Sequence, residues 1–255
     1  MLELHHLVRH VDRKVMSTRL SEIYRAYEGL LSDVESEFDR VRNMFIDKMQ
    51  CRKGCSSCCN QLFAISAIEA AYLSKAVSEL EPEQREAMRQ RAKEYLDNLL
   101  GADSTQDPDR ESTGRESTVR QSQNWENQSL EEHSKVVREA LGKKVGIHHI
   151  PCPALVDDAC AIYGNRPVMA RKYGIPLWNP NNPHQLQACE LNFKRGEVIE
   201  GDNLIEPQMI LEYRWLEFKM DLHDELKLPD LVATVASAVV FDYQSLLEEH
   251  ITESQ

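Results

Sequence analysis

The chain has 255 residues, 42% of them hydrophobic and 28% charged, which is the composition of a soluble globular protein with enough material for one sizeable core. Its net charge is −12 and its pI about 5.3. That balance argues against nucleic acid and anionic membrane as partners, because phosphate binding needs a Lys/Arg footprint. No apolar run is long enough to span a bilayer. The longest, Leu231 to Phe241, has 11 residues and holds Thr234 and Ser237, against about 20 for a span. The start of the chain, MLELHHLVRHVDRKVM, lacks the apolar core and small-residue cleavage site of a signal peptide, so the cytoplasm is the expected compartment and its cysteines are expected to be reduced unless they hold a metal.

In chain order, residues 17–50 show helical spacing. Leu20, Ile23, Tyr24, Tyr27, Leu30, Leu31, Val34, Phe38, Val41, Met44 and Phe45 recur at three- and four-residue steps. His5, His6 and His10 before them read as terminal histidines. Asn60 to Ile65 is short, apolar and compatible with extended chain. Ser66 and Glu69 form a capping-box pattern opening a helix to about Leu80, and Pro82 suits the first turn of the next, to about Leu100. Residues 101–128 are polar and carry REST twice, at Arg110 and Arg115, so a linker or loop is expected there, with Trp125 as the one residue suited to dock on the core. A short helix is predicted from Leu130 to Leu141. Residues 143–205 are rich in Pro and Gly. A helix from Glu206 to Leu226 is predicted to bury Met209, Ile210, Tyr213, Leu216, Phe218 and Met220. A last helix is predicted from Pro229 to about Glu249, its small-residue stretch LVATVASAVV suited to close helix packing. The whole reads as mainly α: an N-terminal helical segment (1–50), a cysteine-rich region with an insertion (51–200), and C-terminal helices on the same core (201–255).

The chemistry is concentrated in seven cysteines. Four fall within nine residues, Cys51, Cys55, Cys58 and Cys59, in CRKGCSSCC. Thiolates so dense repel unless a cation neutralises them, and a C-x-x-C unit brings two sulfurs onto one ion. Gly54 permits a left-handed turn between them, and Arg52 and Lys53 place positive charge alongside, which favours the thiolate. Adjacent side chains point apart, so Cys58 and Cys59 need not share an ion. A helical core stripe is the competing reading, since Cys51, Cys55 and Cys58 also sit at i, i+4 and i+7. A thioredoxin-like pair lacks its βαβ context. Cys152 and Cys160 flank a turn-forming Asp157-Asp158 pair, and Cys189 follows. Arg166 and Arg171 are placed to donate hydrogen bonds to ligated sulfur, with ordinary ion pairing as the alternative. His148, His149 and His184 are the nearest nitrogen donors. Seven thiols allow one four-thiolate site with spares, or two sites of which one borrows a ligand or keeps an open position.

CRKGCSSCC followed by CPAL and then C-x-I-Y-x-x-R-P-x-x-x-R-x-Y resembles the YkgJ-type cysteine-cluster family over roughly residues 50–190. The residues that carry the resemblance are Cys51, Cys55, Cys58, Cys59, Cys152, Pro153, Leu155, Cys160, Ile162, Tyr163, Arg166, Pro167, Arg171 and Tyr173. The resemblance implies a zinc- or iron-chelating domain and a relation to the cluster-bearing part of flagellin lysine N-methylase. This chain has Ala170 where that family usually has cysteine. The expected cofactor is a [4Fe–4S] cluster or Zn²⁺, held by Cys51, Cys55, Cys58, Cys59, Cys152, Cys160 and Cys189, with Arg166 and Arg171 behind them. The expected role is a metal-binding protein, structural or cofactor-bearing. Two alternatives are a cluster-dependent protein-modifying enzyme such as a lysine N-methyltransferase, whose substrate would be a protein, and a metal or redox sensing or delivery protein. No glycine-rich nucleotide loop supports the enzyme reading.

Overall fold

The structure, a computed structural model, describes residues 2–52, 54–101, 125, 128–142, 150–178, 186–194, 197–201 and 203–254; side chains within 2–17 and of residues 100, 101 and 140 are not part of that description. The chain is mainly α-helical. A long helix, α1 (Leu2–Met44), leads into the cysteine run, and α2 (Ala67–Ser78), α3 (Pro82–Gly101) and α4 (Leu130–Gly142) follow it. A two-residue antiparallel hairpin, β1 (Leu155–Val156) and β2 (Ala159–Cys160), precedes the short α5 (Val168–Lys172). The chain closes with α6 (Ile205–Leu226), α7 (Val235–Val240) and α8 (Tyr243–Glu253).

The main core gathers α1, α2, α3, α6, α7 and α8. Leu20, Ile23, Tyr24, Tyr27, Leu30, Leu31 and Val34 of α1 are buried, as their spacing predicts. Tyr27 meets Tyr72 edge-on at 5.1 Å between ring centroids and Trp215 at 5.7 Å. Met44, by contrast, is 45% exposed, because α1 ends there and the chain turns away. The predicted capping box is present: Ser66 accepts from the Glu69 backbone N–H, and the Glu69 carboxylate accepts from the Ser66 backbone N–H at 2.8 Å. That buried carboxylate also accepts from Val168 N–H at 3.1 Å, so one side chain caps α2 and anchors the start of α5. Burial raises its pKa, and three hydrogen bonds to the ionised form oppose the rise.

Two predictions for the C-terminal region are corrected. On α6, Ile210, Tyr213, Leu216 and Met220 are exposed, and the buried stripe is Trp215, Leu222 and Leu226 with Phe218 partly covered. The helix is apolar on more than one face, so spacing alone did not fix its phase. The expected single helix from Pro229 is instead extended chain and two helices. Ala233 exchanges backbone hydrogen bonds with Ile65 at 2.8 and 3.1 Å. Thr234 and Ser237 then form a capping box that starts α7, and Asp242 caps α8 by accepting from Ser245 N–H. Ala236 and Ala238 are almost fully buried, and α7 packs closely on α2 and α3, as its small residues predict.

Trp125 docks on this core as expected. It is 1% exposed, donates to Asp97 at 2.8 Å and meets His133 edge-on. His133 of α4 is fully buried between Trp125 and Phe241, and neither ring nitrogen has a hydrogen-bond partner among the described residues. Burial pushes its pKa down to about 4. The unfolded chain therefore takes up this proton near pH 6.5 and the folded chain only near pH 4. The folding contribution of neutral His133 is present above about 6.5 and is lost as pH falls through about 4, by roughly 3 kcal/mol across the window. Replacing His133 with Leu is expected to narrow the gap in urea midpoint between pH 7 and pH 4.5. An unchanged gap would show that the acid sensitivity originates elsewhere.

Candidate metal centre

The cysteine run is not helical, which removes the core-stripe reading. Cys51, Arg52, Cys55 and Ser56 have no regular structure, Gly54 lies in a turn, and Ser57–Asn60 is a single 3-10 turn. Gly54 takes φ +91°, the left-handed conformation expected of it. Cys55 N–H donates to Arg52 O and Cys59 N–H to Ser56 O, both at 2.9 Å.

The second cysteine segment is stitched directly to the first. Cys152 N–H donates to Cys59 O at 2.7 Å, and Arg91 of α3 holds Pro153 O at 2.9 Å. The β1–β2 hairpin turns on Asp157 and Asp158, whose φ values of 49° and 59° suit a primed two-residue turn. Asp158 accepts from Ser56 Oγ at 3.0 Å, which lays the hairpin tip on the first run and carries Cys160 with it.

These contacts enclose a cavity of about 90 Å³ lined by Cys55, Cys58, Cys59, Cys152 and Cys160. A single water needs only about 10–15 Å³ of such space. Arg166 and Ala170 complete that side of the cavity. Cys51 and Cys189 lie outside its lining. Asn192 joins them: its side chain donates to Cys51 Sγ at 3.1 Å, and its backbone N–H donates to Cys189 O at 2.9 Å. Among the described residues, no three His, Cys, Asp or Glu side chains converge closely enough to hold an ion in this conformation. Thiolates are donors of the kind a thiophilic metal takes.

The two arginines differ. Arg166 lines the cavity, lies 3.6 Å over the Tyr163 ring and donates to Tyr163 O at 3.0 Å. Its charge favours the thiolate forms of Cys58 and Cys160. Arg171 does not line the cavity. It is buried, donates to Arg166 O at 2.7 Å and to Gly164 O, and pairs with Glu35. It is a staple that fixes the turn carrying Arg166. Arg52 is exposed, and Lys53, His148, His149 and His184 lie outside the described residues, as does nearly all of the 101–128 insertion.

The thiols are not equivalent. A hydrogen bond from Cys59 holds the Cys58 pKa down at about 7, while that bond and burial push Cys59 up. Burial pushes Cys152 up to about 12 and raises Cys51 and Cys160. Most of these sulfurs are therefore protonated near neutrality, and metal loading would release protons.

No family model, curated protein or solved structure matches the chain.

Two features were missed in the sequence. Asn192, three residues after Cys189, binds sulfur through an amide that no metal motif highlights. A second cavity of about 310 Å³ lies on the other side of α5, bordered by Glu37, Lys172, Trp178, Gln208, Glu212 and Trp215. Lys172 pairs with Glu212 at 2.9 Å at its edge. Its parts come from α1, α5, α6 and the loop after α5, so no local pattern marks it.

Proposed function

We propose that this chain is a thiolate-ligated metal protein of the YkgJ type, holding an iron–sulfur cluster or zinc. The observation that carries this reading is the cavity itself. Five cysteines, supplied by the 51–59 run, by Cys152 and by the hairpin residue Cys160, line one space beside Arg166. Cysteine is a common core residue, but cores do not collect five thiols around a hollow backed by Arg166. Ala170 on the same lining stands where the resemblance expects a further cysteine, which supports the resemblance and leaves one corner without a sulfur.

Cys51, Cys55, Cys58, Cys59, Cys152, Cys160 and Cys189 are the residues that would hold the group, and Arg166 would offset its negative charge. When bound, such a group supplies either a rigid cross-link between distant segments or an electron- or ligand-accepting centre. The cross-linking role has the most support, since the cavity is lined by cysteines from segments about a hundred residues apart, and a group bound there would close that long loop.

Anaerobic purification with elemental analysis and a visible spectrum tests the reading. A brown protein with iron and acid-labile sulfide, or a colourless one with stoichiometric zinc, is the expected result. A chain with neither, and with seven freely titrating thiols, would overturn it.

A further inference from the structure

We infer that the second cavity, between α1, α5 and α6, is a binding site for a small amine carrying a flat apolar or aromatic body. Its size, its walls and its polar groups all bear on the class of ligand. The volume is about 310 Å³, about twice the roughly 150 Å³ of an engineered protein cavity that holds benzene. A body of two fused rings is the scale that fits. Ile175, Leu177, Leu211, Trp178 and Trp215 supply apolar and aromatic walls. Gln208 fixes one of those walls. Its amide donates to Pro176 O at 2.8 Å and accepts from Trp178 N–H at 3.0 Å, which ties the loop after α5 to α6 and uses both ends of the amide.

The polar groups left for a ligand are rich in acceptors. Glu37 and Glu212 bring two carboxylates, and Lys172 is the one cation among the described lining residues. Lys172 is already paired with Glu212 at 2.9 Å, at a rim where Glu212 is half exposed. Glu37 is different. It is only 9% exposed, and its carboxylate accepts from Arg40 at 2.6 and 2.7 Å. Arg40 itself does not line the cavity. An ionised carboxylate has about four acceptor positions, so with two of them taken by Arg40 roughly two remain among the described residues. A buried carboxylate short of donors beside apolar walls is completed by a ligand N–H, and more strongly by a cationic one. The two tryptophan rings favour the same charge. An anionic head would meet two carboxylates and a lysine that is already paired. The site is separate from the cysteine cavity, and the inference does not rest on the metal reading.

Calorimetric titration of the full-length protein with tryptamine, indole and indole-3-acetate tests this, because the three share a ring system and differ in charge. Tryptamine is expected to bind at a single site per chain, at least about tenfold tighter than indole-3-acetate, with indole between them. Glu37→Gln keeps the shape of the side chain and is expected to remove the preference for tryptamine while indole still binds. Should that variant fail to fold, Glu212→Gln at the exposed rim is expected to weaken tryptamine severalfold and leave indole unchanged. No binding of any of the three, indole-3-acetate binding as tightly as tryptamine, or a tryptamine preference that survives in the folded variant overturns the inference.

Discussion

Replacing both Cys55 and Cys58 with serine is expected to strip most of the bound metal and lower the melting temperature by roughly 8–16 °C. Both sulfurs line the cavity, and Cys58 carries the one thiol whose pKa is pulled down toward neutrality. The magnitude follows from linkage. A ligand present at about 1,000 times its Kd stabilises the folded state by about 4 kcal/mol, and each kcal/mol moves the melting point of a chain this size by about 2–4 °C. Serine is close to isosteric, so the packing loss is small beside this. The check is a pair of melts with and without chelator. Wild type should fall to the variant's melting point when chelated, and the variant should not respond. A variant that keeps full metal and melts like wild type would remove the centre from this part of the chain.

Arg171→Met is expected to cost about 3 kcal/mol in urea unfolding, the second large effect. Its guanidinium satisfies the carbonyls of Gly164 and Arg166 and pairs with Glu35 of α1. Methionine fills the space and leaves those carbonyls unmet, at about 1–3 kcal/mol for each buried group. Glu35 is half exposed, so its lost pairing adds little. Arg171→Lys should recover only part of the loss, because one ammonium cannot reproduce a planar fork on three acceptors. Full stability in Arg171→Met would show that the turn before α5 holds itself.

Local chemistry is what the sequence made legible. Ser66 and Glu69 marked their helix start, Asp157-Asp158 its turn and Gly54 its left-handed residue, because each depends on neighbours within a few positions; Trp125 stood out instead as the one large apolar residue in a polar stretch. The mainly α fold followed from periodicity for the same reason. The phase of α6 did not, since its two apolar faces differ only in what lies opposite them. Pro229 looked like a helix start, but the Ala233–Ile65 pairing keeps that stretch extended, and that partner is far away in sequence. The candidate site divides in the same way. The residue type that lines the cavity was readable from CRKGCSSCC, whereas the place of Cys51 and Cys189 outside that lining depends on Asn192 and, for Cys51, on a second core. Arg171 looked like a companion of the cysteines and is a staple on backbone carbonyls, a role set wholly by tertiary contacts.

The five-residue helix α5 has one more consequence. Ala170 forms part of the wall of the cysteine cavity, while Val168, Met169 and Lys172 border the larger cavity behind it. One thin partition therefore serves two chambers, pinned at its start by Glu69 and at its end by Arg171 and by the Lys172–Glu212 pair. A displacement of that partition changes the shape of both chambers at once. An occupant of either chamber that displaced the partition would couple the two, and such a coupling would run equally in both directions.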